Sequence, residues 1–435
     1  MSRVVVVGGG WGGMAAAARL AKLGHEVTLL ERSEVLGGAL DPVVADGFTW
    51  DGGPASMLLP AVARDLFRKS GRTLEAELRT DLVPLDVVRE HRWEDDSAVR
   101  VTGGSRAAQI EAFDAMQPGL GRAWVDHVAA YDEVWDVLRR HYFEVPWAPD
   151  ALPRDVARLL DSREMLHRRL RRTLKDDRLR DVAAHPFRIA GHEPRDVPAW
   201  AGLEAYLTQR FGAWTVPGGM HVLRDALAGR LATRRVQVVL GSEVRDIVVE
   251  AGRVRGVTTS LGPVDADVVV CGVDPRRLPL LASYVERTMP AIPPVVCHLG
   301  LSGEAPDLPH EVVLHGEPTI VVRTGGTAPD GHVAWTLLGR GRLSEDIVTA
   351  LARHRIDVRP HVVARVDRSP RDQVTQWGGS PLGVLWQGRS TVRRRLGPRT
   401  PVEGVYAVGA HATPGAGLPF VGLSAALVAQ CVGPA

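Results

Sequence analysis

Gly8, Gly10 and Gly13, followed by Glu31, carry the first chemistry legible in this sequence. They fall in RVVVVGGGWGGMAAAARLAKLGHEVTLLER, where G-x-G-x-x-G comes directly after an apolar run and an acid stands about twenty residues further on. Each residue type has a task in holding a dinucleotide. Gly8 allows a tight turn, Gly10 has no side chain to obstruct a pyrophosphate, and Gly13 lets a helix pack close to a strand. The pyrophosphate would meet unpaired N–H groups and the positive end of the helix dipole. Glu31, with Arg32 beside it, would accept hydrogen bonds from both hydroxyls of an adenosine ribose and repel a 2′-phosphate, which disfavours NADP.

These residues need a βαβ unit to position them. Residues 4–7 form a β-branched run suited to a buried parallel strand, and the Ala and Leu content of residues 14–23 favours a helix. Gly24 stops that helix, and residues 27–30 read as the second strand, with Glu31 at its end.

A second glycine pair, Gly37 and Gly38, follows closely, which suits a long cofactor lying extended across the domain. With Glu31, these glycines make E-x-x-x-x-x-G-G, and Asp51, Gly53 and Pro54 make the D-x-G-P that comes next. At these motifs the chain resembles the phytoene desaturase-like branch of the FAD-dependent amine oxidase superfamily. Two further stretches extend the resemblance. Residues 211–223, FGAWTVPGGMHVL, look like the segment that re-enters the FAD domain, and Val244 in the strands after it matches a position whose backbone meets adenine. Residues 404–429, GVYAVGAHATPGAGLPFVGLSAALVA, resemble the family's closing FAD motif. It contributes Gly409, Ala410, Gly417, Leu418 and Pro419. A helix starting near Pro419 would aim its N-terminus at the flavin N1–C2=O edge, where negative charge accumulates on reduction.

The resemblance implies an α/β fold: a discontinuous Rossmann-type FAD-binding domain, with a second domain of mixed sheet and helices for the substrate. Residues 1–90, 216–290 and 385–435 are assigned to the FAD domain, and 91–215 and 291–384 to the substrate domain. There are departures. Relatives often have arginine after the second glycine pair where this chain has Ala39. Carotenoid desaturases often have histidine before the closing proline, where Thr413 stands here and His411 is nearby. The chain is also short for a carotenoid desaturase.

The totals exclude other classes. The 435 residues are 45% hydrophobic and 24% charged, enough for two or three domains with large interiors. A formal charge of +2 gives no field for nucleic acid. Cys271, Cys297 and Cys431 are too far apart in sequence for a CxxC redox pair or a zinc site, so buried packing is expected of them. His310, His315, His354 and His361 are scattered without a metal-ligand pattern. No apolar stretch approaches the roughly 20 residues of a spanning helix, and the N-terminus lacks a secretion signal, so a cytoplasmic location is expected.

Within the first insert, Trp124, Val128, Tyr131, Trp135, Leu138 and Tyr142 recur at three- and four-residue steps, predicting one helical face that serves as core. Residues 163–188 are rich in arginine, with Leu166, Leu170, Leu174 and Leu179 between the charges. A solvated basic helix face is the simpler reading. The alternative is peripheral contact with an anionic membrane, at the inner face, from which a lipophilic substrate is drawn.

The resemblance implies hydride transfer from a C–C unit of a lipophilic, isoprenoid- or polyene-like substrate to FAD, with an unknown electron acceptor. No strong side-chain base is evident, so no catalytic residue is assigned. Met57, Trp214 and His411, adjacent to the flavin-binding turns, are the pocket candidates. Amine oxidation at a C–N bond and a saturase or isomerase reaction remain alternatives in this fold, as does a non-enzymatic protein that binds a prenylated partner.

Overall fold

The computed structural model describes residues 1–146, 151–303 and 305–435. The opening valines form the strand Arg3–Val7, buried at every position but the first. An apolar run without polar alternation suits a strand covered on both faces. The chain turns through Gly8, at φ +96°, into the helix Trp11–Lys22 and returns as the parallel strand Glu26–Leu30. The helix begins at Trp11 rather than at residue 14. Gly12 and Gly13 are poor helix formers in isolation, and here close packing overrides that propensity.

Three more parallel strands complete the sheet, in the order Val405–Ala407, Val268–Cys271, Arg3–Val7, Glu26–Leu30, Gln237–Val239. Helices Trp11–Lys22, Pro60–Ser70, His221–Thr233 and Leu418–Val432 cover one face. The antiparallel strands Val244–Glu250, Arg253–Thr259 and Gly262–Asp265, with the helix Pro279–Val285, cover the other. This is a Rossmann-type layer arrangement assembled from the start, middle and end of the chain.

A second sheet has seven strands, in the order Val362–Arg368, Val295–Ser302, His332–Arg340, Thr319–Thr324, Glu311–Leu314, Val87–Arg92, Ala98–Thr102. Its pairs are antiparallel except Glu311–Leu314 with Val87–Arg92. The strand Val87–Arg92 spans residue 90, the expected edge of the first FAD-domain segment, and belongs wholly to this second sheet. One face carries the helix Ile347–Arg353. The other packs on the hairpin Val43–Ala45/Phe48–Trp50, and it needs glycine at 300, where a Cβ would lie 2.6 Å from the Phe48 ring.

The aromatic stripe is core, as its spacing predicts: Trp124, Val128, Tyr131, Leu138 and Tyr142 are buried. It is not one helix, however. Leu120–Ala129 is followed by Asp132–Leu138 and then a π-helical turn, Arg139–Phe143. The basic region is also split, into Leu166–Thr173 and Asp177–Ile189. Its four leucines all face the interior, so the apolar side of this region is not offered to a membrane. Arg168, Arg171 and Lys175 stay exposed. Among the described residues no helix is long and apolar enough to cross a membrane. The three cysteines are buried and unpaired.

Candidate flavin cleft and adjoining cavity

At the N-terminal unit, the Gly9 N–H donates to Glu31 Oε2 at 2.6 Å, and the Ser33 N–H donates to Glu31 Oε1 at 2.8 Å. The carboxylate is thereby fixed at the strand end, with lone pairs left for further donors. The Glu31 N–H donates to Val239 O at 2.9 Å, and the Ser242 N–H to Glu31 O at 2.8 Å. The segment leading into Val244 therefore runs beside the acid. The Gly37 N–H donates to Gly9 O at 2.9 Å, and a Cβ on Gly38 would lie 3.2 Å from Gly10 Cα. Both glycine pairs thus occupy one place.

Gly13 and Gly10 show two different needs for glycine. A Cβ on Gly13 would stand 2.0 Å from Gly8 O, so the strand–helix packing itself forbids a side chain. Gly10 has an ordinary φ of −71° and nothing within 4 Å of its Cβ position. It opens onto space in front of a helix N-terminus that has neither a side-chain cap nor an acid in its first turn. That is the form of a pyrophosphate cradle.

Arg32 reaches elsewhere: its Nη2 donates to the carbonyls of Thr375 and Gln376, both at 2.5 Å, at the C-terminal end of the helix Pro370–Trp377. Sequence reasoning missed Arg224. Its side chain lies against Gly37, with Cδ 2.5 Å from where a Cβ would be, and it pairs with Asp41 and Asp225. It brings a guanidinium to the glycine pair beside Ala39. Only the packing of the helix His221–Thr233 could reveal this, because no local motif marks the residue.

The closing motif meets the opening one directly. A Cβ on Gly12 would lie 3.0 Å from Gly409 Cα, and the Gly409 N–H donates to Ser424 Oγ at 3.2 Å. Trp11 Nε1 donates to Leu418 O at 3.2 Å. Gly417, at φ +103°, leads into the helix Leu418–Val432 with Pro419 in its first turn, again with no side-chain cap and no acid there. Two uncapped helix N-termini therefore open side by side. Ala410 lies against the 378–383 loop, where a Cβ on Gly383 would stand 2.1 Å from its carbonyl oxygen.

His411 is built into the wall beneath this motif. Its Nε2 lies 3.0 Å from Ser380 O and its Nδ1 3.8 Å from Asp274 Oδ1. Burial lowers its pKa despite Asp274. Behind the closing turn, Arg395 Nη1 donates to Pro414 O at 2.6 Å, and the guanidinium stands 5.2 Å from the Trp386 ring centre. Arg395 is 7% exposed, and burial lowers its pKa while the Tyr142 hydroxyl beside it raises it. Arg395 forms no ion pair with a carboxylate among the described residues.

Met57 and Trp214 come together as a backbone pair, with N–H to O distances of 2.8 and 2.9 Å in the two directions. Their neighbours Ala55 and Thr215 line a cavity of about 210 Å³ between the D-x-G-P segment, the re-entry segment and the seven-stranded sheet. Asp51, His310, Arg323 and Thr336 also line it. Met57, Trp214 and His411 are not among its lining residues.

Under this cavity, strand register aligns a polar row across the sheet: His298 opposite Thr336, Thr336 opposite Arg323, and Arg323 opposite Glu311. His298 Nδ1 lies 3.0 Å from Thr336 Oγ1. Arg323 Nε donates to Glu311 Oε2 at 2.8 Å, and Arg89 pairs with the other oxygen. Burial opposes ionisation of Glu311, but the two guanidiniums outweigh it and hold its pKa well below the usual carboxylate range. Arg323 Nη1 donates to Gly53 O at 3.1 Å, and His310 Nε2 lies 3.1 Å from Ala55 O. The row thereby ties the sheet to the D-x-G-P segment. Its sequence signal is faint: an isolated histidine or arginine within a largely apolar strand, as in VVCHLGLS and TIVVRT.

The fold and cleft define an FAD-dependent oxidoreductase. Within that class, the chain belongs to the flavin containing amine oxidoreductase family, whose model matches residues 11–433. It is 27% identical to a 4,4'-diapolycopene oxygenase of Methylomonas sp, over 98% of this chain and 97% of the relative. It is 28% identical to a zeta-carotene-forming phytoene desaturase of Myxococcus xanthus, over 98% of this chain and 93% of the relative. Such relatives support the phytoene desaturase-like branch. The cyclohexylamine oxidase from Brevibacterium oxydans shares the fold, with a TM-score of 0.69 at 15% identity over 99% of both chains.

Proposed function

We propose that this chain is an FAD-dependent desaturase acting on a C–C unit of a lipophilic, isoprenoid- or polyene-like substrate. The observation that carries the reading is the junction of Trp11 with Leu418, which brings the two ends of the chain to one cleft. The full-length similarity to carotenoid-modifying relatives supports the substrate class. FAD, when bound, supplies the hydride acceptor.

In this reading Gly8, Gly10, Gly13, Gly37 and Gly38 accommodate the diphosphate. Glu31 takes the ribose hydroxyls, and the Val244 backbone meets adenine. Gly409, Ala410, Gly417, Leu418 and Pro419 seat the redox ring, with the helix Leu418–Val432 directing its positive end at it. Arg32 acts as a tether for the helix Pro370–Trp377. Met57, Trp214 and His411 shape the walls. Loss of a hydride and a proton from adjacent carbons forms the C=C bond, and the two electrons pass onward to an acceptor outside the chain.

Anaerobic mixing of the yellow holoenzyme with acyclic polyenes and with primary amines tests this. Bleaching of the oxidised-flavin band by a polyene, with formation of a more unsaturated product, is expected. Bleaching by amines alone would replace this proposal with C–N oxidation.

A further inference from the structure

The cavity beside the D-x-G-P segment has the wrong walls for a hydrocarbon. Asp51, His310, Arg323, Thr324 and Thr336 line it, with Val216 the one large aliphatic side chain. A polyene end placed there would press hydrocarbon against the unused Arg323 Nη2 and Asp51 Oδ2, and each unsatisfied buried polar group costs about 1–3 kcal/mol. The volume, about 210 Å³, equals the liquid-state share of about seven waters. That is room for a polar terminus rather than for a whole isoprenoid chain.

The available hydrogen-bonding atoms narrow the chemistry. Arg323 uses Nε on Glu311 and Nη1 on Gly53 O, and its Nη2 donates to no described residue. Asp51 Oδ1 accepts from the His221 N–H at 3.2 Å, and its Oδ2 accepts from no described residue. A spare donor and a spare acceptor thus belong to two residues that line one cavity. A carboxylate would be repelled by Asp51, and a carbonyl could not use it. A hydroxyl can accept from Arg323 and donate to Asp51. Below them His298 is wholly buried, its Nδ1 against Thr336 Oγ1 and its Nε2 without a hydrogen-bond partner among the described residues. His298 so placed is a positioning residue for the Thr336 hydroxyl.

We infer that this cavity is a subsite for a hydroxyl group on the substrate, held between Arg323 and Asp51 with Thr336 as a third contact. The assignment rests on the desaturase reading and deepens it: the preferred substrate is a hydroxylated isoprenoid rather than the bare hydrocarbon. FAD also carries hydroxyls, on its ribityl chain. The substrate is the assigned source because one whole wall of the cavity is the substrate-domain sheet.

The test uses holoenzyme under anaerobic conditions, mixed with one acyclic polyene in two forms, a hydrocarbon and the same chain bearing a terminal hydroxyl. The concentration giving half-maximal flavin reduction should be lower for the hydroxylated form by about tenfold or more. Thr336→Val, which keeps the side-chain shape, should shrink that ratio several-fold, while FAD affinity measured by flavin fluorescence stays at the parent value, and Asp51→Asn should shrink the ratio as well. Flavin reduction by neither polyene overturns the desaturase reading and this inference with it. Reduction by both with equal half-saturation overturns the hydroxyl subsite alone, as does a preference that survives both substitutions. Weakened FAD binding with the preference intact assigns the hydroxyl contacts to the ribityl chain and also overturns the inference.

Discussion

Trp11 and Leu418, 407 positions apart in the sequence, share a hydrogen bond of 3.2 Å from the indole Nε1 to the carbonyl oxygen. It joins the first turn of the opening helix to the first turn of the closing one, and so links the two seats proposed for the diphosphate and the ring. Trp11→Phe keeps most of the apolar contact and removes the donor. A loss of about 1 kcal/mol is expected, read as a lower melting temperature of the holoprotein and faster release of fluorescent flavin.

Gly10 and Gly13 should separate cofactor effects from folding effects. Gly10→Ala fits its φ of −71° and meets no atom within 4 Å, so the apoprotein should keep its stability to within about 0.5 kcal/mol. FAD binding should weaken at least tenfold (order of magnitude), because the added methyl fills the cradle. Gly13→Ala drives a methyl onto Gly8 O and should cost the apoprotein about 2–3 kcal/mol. Urea unfolding and flavin titration of both variants give the comparison.

Arg395 is a buried cation without a carboxylate partner among the described residues, which folding stability alone does not favour. Arg395→Met should leave apoprotein stability within about 1 kcal/mol of the parent. It should also lower the reduction potential of bound FAD, on the order of tens of millivolts, because a positive charge beside the closing turn favours added electrons. Potentiometric titration of the two holoproteins reads the shift. An unchanged potential would make Arg395 a purely structural brace for Pro414.

Acid should destabilise the fold through buried neutral histidines. Burial lowers His127 and His192 from 6.5 to about 4 and His298 to about 3. A histidine with a lowered folded pKa contributes its stability in full above the unfolded value of 6.5. That contribution is lost as pH falls from there toward the folded value, because the unfolded chain binds the proton first. Each such group adds about 1.4 kcal/mol per pH unit to the slope in that window. His127→Gln, which can keep the contact with Thr173 Oγ1 at 2.8 Å, should flatten the slope by one such increment between pH 6 and 4.5 (roughly the titrating window). Denaturant unfolding at several pH values measures it.

The basic helix should act by charge alone. Leu166 and Leu170 are committed to the interior, leaving exposed cations, Arg168, Arg171 and Lys175 among them, for any anionic surface. Co-sedimentation with anionic vesicles should be abolished by high salt and by substituting serine at those three positions, and zwitterionic vesicles should not retain the protein. Retention that is insensitive to salt would point to an apolar contact elsewhere.

The parts of the fold written in consecutive residues were legible. Arg3 to Glu31 specify strand, turn, helix and strand within one short stretch, so local chemistry alone identifies the unit. The closing stretch around Gly417 was found through its resemblance to the family's closing motif, and the helix expected near Pro419 runs from Leu418. The polar row was not, because Arg89 and Glu311 meet across 222 positions of sequence and only strand register aligns them with Arg323 and Thr336. The stripe from Trp124 to Tyr142 gave the buried face but not its breaks, since steps of three and four residues continue across a kink and into a π-helical turn. Arg32 could not be placed by motif either, because its carbonyl partners at Thr375 and Gln376 belong to a distant segment.

The parallel sheet has a consequence for biosynthesis. Its edge strand Val405–Ala407 leaves the ribosome after nearly all the rest of the polypeptide, and the turn at Gly417 follows it. On the proposed reading, a nascent chain interrupted between the strand Gln237–Val239 and the strand Val405–Ala407 would carry the residues of the diphosphate seat without those of the ring seat. A yellow product then marks chains that include the segment through Gly417, and chains stopped before it would emerge colourless.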